Sequence, residues 1–206
     1  MFVKICGITN AGDARAAIEH GASALGFVFW PASPRFVELE RALDIIATLP
    51  PAVTAVGVFV NQPASFVNDV AAEIGLGVVQ LHGDETTEFA GSMSRPVFKS
   101  VAIGAGRPDV GAWPERVTLV VDASDPVRRG GTGTTADWSR AAALARTRRL
   151  ILAGGLTPDN VAEAIARVQP YGIDVSSGVE RSPGIKDHVR LAALFDAVRS
   201  TETTTL

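Results

Sequence analysis

Cys6 closes the apolar run Phe2-Val3-Lys4-Ile5 and is followed at once by Gly7. Far along the chain, Asp122 closes a second run, Val117-Thr118-Leu119-Val120-Val121. A thiolate takes up a proton or attacks carbon. A carboxyl partly withdrawn from water has its pKa raised toward what a general acid needs. A lone cysteine is more often a small buried hydrophobe, but this one stands where an apolar run ends, beside a glycine. A carboxylate directly behind an apolar run is costly unless it has a partner or a task. Two further side chains follow apolar runs. Arg35 ends Trp30-Pro31-Ala32-Ser33-Pro34-Arg35, where two prolines stiffen the loop and lower the entropy lost on binding. A guanidinium held in this way suits bidentate capture of a carboxylate; by spacing alone, a surface arginine in a turn reads equally well. His82, in Gln80-Leu81-His82-Gly83-Asp84, touches a substrate, supports a group that does, or is a satisfied structural histidine. His20 and His188 fall at helix ends and carry no such signal.

Eight short apolar segments recur, at 2–5, 24–30, 54–60, 77–81, 96–102, 117–121, 150–153 and 172–176. None alternates strictly with polar residues, so each reads as a strand buried on both faces of a parallel sheet. Between them lie stretches with helical spacing, at 11–20, 37–49, 63–74, 86–93, 137–146, 158–168 and 187–199, with a short one at 108–114. Gly21 is a C-cap signal, Pro50-Pro51 cannot continue a helix, and Thr157 is expected as an N-cap. Eight strand–helix pairs in strict alternation predict a closed (β/α)8 barrel over residues 1–200, with a frayed tail at 201–206. An open doubly wound sheet would need a nucleotide fingerprint at the first crossover, and Gly7-Ile8-Thr9-Asn10-Ala11-Gly12 is not one.

Composition agrees. The chain has 206 residues, 47% hydrophobic and 20% charged, and a mean hydropathy of +0.22. That suits one full core with doubly buried strands. With 19 Lys+Arg against 22 Asp+Glu and no basic block, there is no electrostatic footprint for nucleic acid. No apolar run approaches the ~18 residues that would span a bilayer, and the first residues already read as a strand rather than a signal peptide. One cysteine excludes an intramolecular disulfide and a Cys-rich zinc site, and fits a reducing, cytoplasmic compartment. Three scattered histidines and one cysteine make no metal cluster.

In a barrel, chemistry gathers at the carboxyl ends of the strands, and phosphate is held by loops seven and eight. Those loops are Gly154-Gly155-Leu156-Thr157-Pro158 and Ser177-Gly178-Val179-Glu180. Their glycines let backbone N–H groups approach an anion at a helix start. Ordinary turn glycines explain either loop, but less easily both. Gly130-Gly131-Thr132-Gly133 is a weaker sign of the same kind. Asp174 lies inside the eighth strand and reads as a buried supporting group; Lys4 and Lys99 lie inside strands, so no Schiff-base lysine stands at a strand end. The expected chemistry is cofactor-free acid–base catalysis on a phosphorylated small molecule that carries a carboxylate.

Taken together these segments resemble the phosphoribosylanthranilate isomerase family of tryptophan biosynthesis. The resemblance rests on Lys4-Ile5-Cys6-Gly7-Ile8-Thr9, Gly26-Phe27-Val28-Phe29, Ser33-Pro34-Arg35, Val56-Gly57-Val58-Phe59-Val60-Asn61 and Gln80-Leu81-His82-Gly83-Asp84-Glu85. It continues through Gly130-Gly131-Thr132-Gly133, Ala153-Gly154-Gly155-Leu156-Thr157-Pro158, Asp174-Val175-Ser176-Ser177-Gly178-Val179-Glu180 and Gly184-Ile185-Lys186-Asp187. It implies a (β/α)8 barrel and an Amadori rearrangement without cofactor or metal. Under it, Asp122 is the general acid, Cys6 the general base, and Arg35 the ligand of the anthranilate carboxylate. Gly154, Gly155, Ser177 and Gly178 become the phosphate loops. The implied partner is the small phosphorylated substrate, with the chain a monomer or homodimer. Ala136 stands where the family usually has Phe, which removes an aromatic near loop six. A histidine-pathway aldose isomerase uses two Asp residues, so Cys6 argues against it. A ribulose-phosphate epimerase needs metal ligands not seen here. A non-catalytic binder of phosphorylated ligands would have no use for Cys6 and Asp122.

Overall fold

The computed structural model describes residues 1–103, 110–122 and 138–203. The Gly130-Gly131-Thr132-Gly133 motif, Ala136, Asp137 and residues 204–206 of the tail lie outside the described residues. Eight parallel strands form one closed barrel in sequence order: β1 (Phe2–Cys6), β2 (Ala24–Val28), β3 (Thr54–Phe59), β4 (Val78–Leu81), β5 (Val97–Ala102), β6 (Thr118–Asp122), β7 (Leu150–Ala153) and β8 (Gly172–Val175). The seam between β8 and β1 closes in register, with Lys4 opposite Asp174.

Both strand faces are buried, which explains the absence of polar alternation. Outward residues such as Ile5, Leu25, Leu119 and Ile173 pack into one large core under the helices. A separate small layer, Ala24, Val56 and Val78 with Phe2 and Phe98, fills the lower barrel. Side chains alternate along a strand, so the inward face of β1 that begins at Phe2 continues through Lys4 to Cys6. On β6 the outward Leu119 and Val121 leave Asp122 facing the mouth.

The helices are α1 (Ala11–His20), α2 (Leu39–Ile46), α3 (Ala64–Glu73), α4 (Thr87–Gly91), α5 (Trp138–Ala145), α6 (Val161–Val168) and α7 (His188–Thr203). Asn10 caps α1 by accepting from the Asp13 amide, and Gly21 ends it in the left-handed region, as expected. After β5 the described residues hold a single 3-10 turn, Val110–Ala112, in place of a helix. Thr157 is not the cap of α6. Asn160 occupies that position, and Thr157 opens the preceding turn, its amide donating to Asn160 Oδ1 at 2.8 Å and its carbonyl accepting from Val161 N at 3.0 Å. Asp187 caps α7, accepting from the amides of Val189 and Arg190 at 2.9 and 3.1 Å. That helix continues to Thr203, past the expected end at Arg199.

An antiparallel hairpin, β9 (Glu180–Ser182) and β10 (Ile185–Lys186), follows β8 and has no counterpart in the sequence reading. It carries Glu180 and Lys186 back beneath the mouth of the barrel.

Candidate active site

Cys6 ends β1 half-buried. Its carbonyl is fixed from two sides, by Lys186 Nζ at 2.6 Å and Ser176 Oγ at 3.1 Å. Two residues earlier on the same inward face, Lys4 is fully buried, and its Nζ donates to both oxygens of Asp174 at 2.9 Å. The pair spans the closing seam of the barrel, where the two residues are register partners. Gly26, opposite Cys6 on β2, makes room for both groups: a Cβ there would lie 2.8 Å from Cys6 Sγ and 3.0 Å from Lys4 Nζ. Burial pulls the Lys4 ammonium pKa down, but Asp174 and the neighbouring Cys6 outweigh it and hold the value above the ordinary one.

Arg35 reaches the same place from the loop after β2, its amide donating to Ser33 Oγ at 3.1 Å. Its guanidinium meets Glu180 edge on, with Nε 2.9 Å from Oε1 and Nη2 2.6 Å from Oε2. The rigidity expected from Ser33-Pro34-Arg35 is therefore supplied largely by a carboxylate from the β9 hairpin. Hydrogen bonds to Glu180 raise the Arg35 pKa above its already high ordinary value. Lys186 Nζ also binds Glu180, 2.9 Å from Oε1. Burial pushes the Glu180 carboxyl up, yet its hydrogen bonds to Arg35 and Lys186 bring it below the usual carboxylate range. For Lys186 burial prevails, and its pKa falls despite Glu180.

His82 faces the mouth from the end of β4. Its Nδ1 lies 3.3 Å from Gln80 Nε2, and burial by the surrounding wall lowers its pKa, favouring the neutral ring at pH 7. The loop behind it is pinned by charge. Lys99 Nζ donates to Gly83 O at 2.6 Å and to Glu85 Oε2 at 2.8 Å, while Glu85 accepts from the amides of Gly83 and Asn61 at 2.9 and 2.8 Å. This explains the lysine inside the fifth strand: it anchors the turn that presents His82.

A cavity of about 640 Å³ opens at the carboxyl ends of the strands and brings Cys6, Arg35, His82 and Asp122 to one space. Gly154 and Gly155 after β7, and Ser177 after β8, line it too. Gly178 does not line it. It packs behind, where a Cβ would come within 1.8 Å of Leu156 O, so the two glycine loops clasp each other there. A second hollow of about 570 Å³ shares Val60, His82 and Asp122 and continues toward Lys99 and Trp113. Cys6 on β1 and half-buried Asp122 on β6 thus face one cavity from different sides of the barrel, with the paired glycine loops along the same rim. A thiol, a carboxyl group and two glycine loops around one substrate-sized space are groups able to move a proton within a bound molecule.

A model of the family described as N-(5'-phosphoribosyl)anthranilate (PRA) isomerase matches residues 3–197. The chain belongs to the phosphoribosylanthranilate isomerase family. Among its relatives is the N-(5'-phosphoribosyl)anthranilate isomerase of Pelobacter propionicus, 46% identical over 200 residues, which are 97% of this chain and 96% of that one. The crystal structure of the Thermotoga maritima phosphoribosyl anthranilate isomerase superposes with a TM-score of 0.87 at 40% identity, covering 97% of this chain and 99% of that one. A further phosphoribosyl anthranilate isomerase structure, in complex with reduced 1-(o-carboxyphenylamino)-1-deoxyribulose 5-phosphate, superposes at 0.84 with 38% identity, again over 97% and 99%. Beneath the cavity lies a charged layer, Lys4, Asp174, Glu180 and Lys186. The sequence marks Asp174 as a buried supporting group and Lys4 as an ammonium inside an apolar strand; the pairing of the four, and the roles of Glu180 and Lys186, are not visible in it.

Proposed function

We propose that Cys6 and Asp122 are the base and acid of an Amadori rearrangement carried out in this cavity. The chain is an isomerase of tryptophan biosynthesis, converting N-(5'-phosphoribosyl)anthranilate to 1-(2-carboxyphenylamino)-1-deoxyribulose 5-phosphate. In this reading the phosphate rests on the loops of Gly154, Gly155 and Ser177, with Gly178 holding the two loops together. Asp122 gives a proton to the ribose ring oxygen, and the ring opens to a Schiff base within the substrate. Cys6 removes the proton from C2, and the resulting enolamine tautomerises to the ketone. Arg35, steadied by Glu180, offers its outer edge to the anthranilate carboxylate, and neutral His82 lines the wall beside it.

The observation that carries this reading is the shared cavity, which receives Cys6 and Asp122 from different strands and the glycine loops along its rim. The test is loss of phosphoribosylanthranilate fluorescence on adding the purified chain, repeated with Cys6→Ser and Asp122→Asn. Turnover by the parent chain and near-background rates in both variants support the roles; normal turnover in either variant removes that residue from the pair. We read the chain as a monomer or homodimer in the cytoplasm, which mass measurement in solution and fractionation of cells would check.

A further inference from the structure

Six groups crowd the inner end of β1: Lys4, Arg35 and Lys186 as cations, Asp174 and Glu180 as carboxylates, and Cys6. Glu180 takes up Arg35 and Lys186 together, and Asp174 takes up Lys4. Among the described residues of this cluster, three cations face two carboxylates. Lys4 stands out among the cations. It is fully buried on the same strand face, and its Nζ and the Cys6 Sγ lie 3.0 and 2.8 Å from one point above Gly26. Among the described residues, the other charged groups near this face are engaged elsewhere. Asp13 on α1 accepts from the Lys186 amide and meets His188. His82 on β4 is held toward neutrality by burial, Asp122 belongs to β6 across the mouth, and Lys99 is matched by Glu85.

We propose that the buried Lys4–Asp174 pair sets the charge state of Cys6, with Lys4 a positioning residue whose ammonium holds the thiol as thiolate, ready to take the C2 proton. An ammonium in a low-dielectric wall favours an anion beside it far more than one in water would. Asp174 and Cys6 both favour that ammonium and compete for it. Removal of the lysine and removal of the carboxylate therefore act on Cys6 in opposite directions, which a merely structural ion pair would not do. The inference rests on the reading of Cys6 as the base.

Cys6 is the only cysteine, so iodoacetamide reports on it alone. Alkylation rate and kcat/KM are followed against pH in the full chain and in folded Lys4→Met and Asp174→Asn. In Lys4→Met the alkylation profile and the acid limb of kcat/KM move to higher pH, and alkylation at pH 7 slows by about tenfold, the lower end of what one opposite charge within ~4–6 Å supplies. In Asp174→Asn both move to lower pH, because Cys6 is left as the closest counter-charge of Lys4. Profiles that do not move in Lys4→Met, or that move the same way in both variants, overturn the proposal. Breaking a buried pair by removing one member can unfold a protein. If Lys4→Met does not fold, the Lys4→Met/Asp174→Asn double variant is compared with Asp174→Asn and must alkylate more slowly than that variant does; equal rates in the two overturn the proposal equally. Cys6→Ser separates the two readings. An inactive Cys6→Ser with unmoved alkylation profiles refutes the role of Lys4 and leaves the base; an active one with shifted profiles refutes the base and leaves the hold on the thiolate.

Discussion

Arg35 and Glu180 meet as two forks, Nε against Oε1 at 2.9 Å and Nη2 against Oε2 at 2.6 Å, so the guanidinium plane is fixed before any substrate arrives. The hairpin that carries Glu180 follows the eighth strand, while Arg35 follows the second. A guanidinium fixed in this way loses little freedom when it binds a second carboxylate. Arg35→Met is expected to raise KM by removing a charge-assisted contact worth about 1.5–3 kcal/mol, with a smaller effect on kcat. Arg35→Lys should recover little, because one ammonium cannot bridge both Glu180 oxygens and still reach the cavity. Steady-state kinetics check this, and an unchanged KM in Arg35→Met would remove the carboxylate role.

For the proposed acid–base pair the expected effect is on kcat. Cys6→Ser and Asp122→Asn should each lower it by roughly 10²–10⁴-fold, the usual contribution of a positioned acid or base. Both substitutions nearly conserve volume, so thermal unfolding should stay close to that of the parent. A large fall in melting temperature beside a small fall in kcat would mark either residue as structural.

Gly178 gives a prediction about loops rather than chemistry. An added methyl would lie 1.8 Å from Leu156 O, well inside contact distance. Gly178→Ala must push loop seven away from loop eight, at a cost of about 1–3 kcal/mol in stability. If these loops hold the phosphate, as proposed, the cradle widens with it, so KM rises and inhibition by inorganic phosphate weakens together. If inhibition by phosphate is unchanged while stability falls, the two loops clasp each other but do not cradle the ligand.

Glu180 predicts the acid behaviour. Burial would raise its pKa, but Arg35 and Lys186 hold it below the ordinary value. A depressed carboxyl contributes stability that is fully present above its unfolded pKa, ~4.3, and is lost as pH falls through the folded value. The melting temperature should therefore drop as acid is added below that range, and Glu180→Gln should lose less between mildly acidic and strongly acidic buffer than the parent does. Acid slopes that coincide for parent and variant would show that Glu180 contributes nothing to this limb.

The barrel was legible because its strands are short and apolar on both faces and alternate with helical stretches; each of the eight appears within two residues of its expected bounds. Cys6, Asp122 and the glycine loops were legible because each follows directly on a strand. What sequence could not convey is pairing across long separations. Arg35 finds Glu180 and Lys4 finds Asp174 only when the barrel closes, and Lys186 reaches the Cys6 carbonyl only through the β9–β10 hairpin, a three-residue strand against a two-residue one that leaves little periodicity to read. Thr157 was misplaced as a cap because Thr157 and Asn160 are both good caps, and the extra turn between them is decided by the hydrogen bond they make to each other.

The sole thiol offers the last prediction. Cys6 is half-buried and lines the same cavity as Gly154, Gly155 and Ser177. A small electrophile entering the mouth therefore reaches it in the folded enzyme, and a ligand seated on the glycine loops lies across its approach. Iodoacetamide should modify one site and abolish activity in step with the modification. Inorganic phosphate at high concentration, or a substrate analogue, should slow both. A cysteine serving only as a small core residue would behave in the opposite way, resisting the reagent until the protein unfolds. The measurement is mass spectrometry of native protein alongside residual activity over the same time course. Full modification with activity retained would exclude Cys6 as the base. Modification that phosphate does not slow would place the phosphate site away from loops seven and eight, since a ligand bound there could not leave the end of the first strand uncovered.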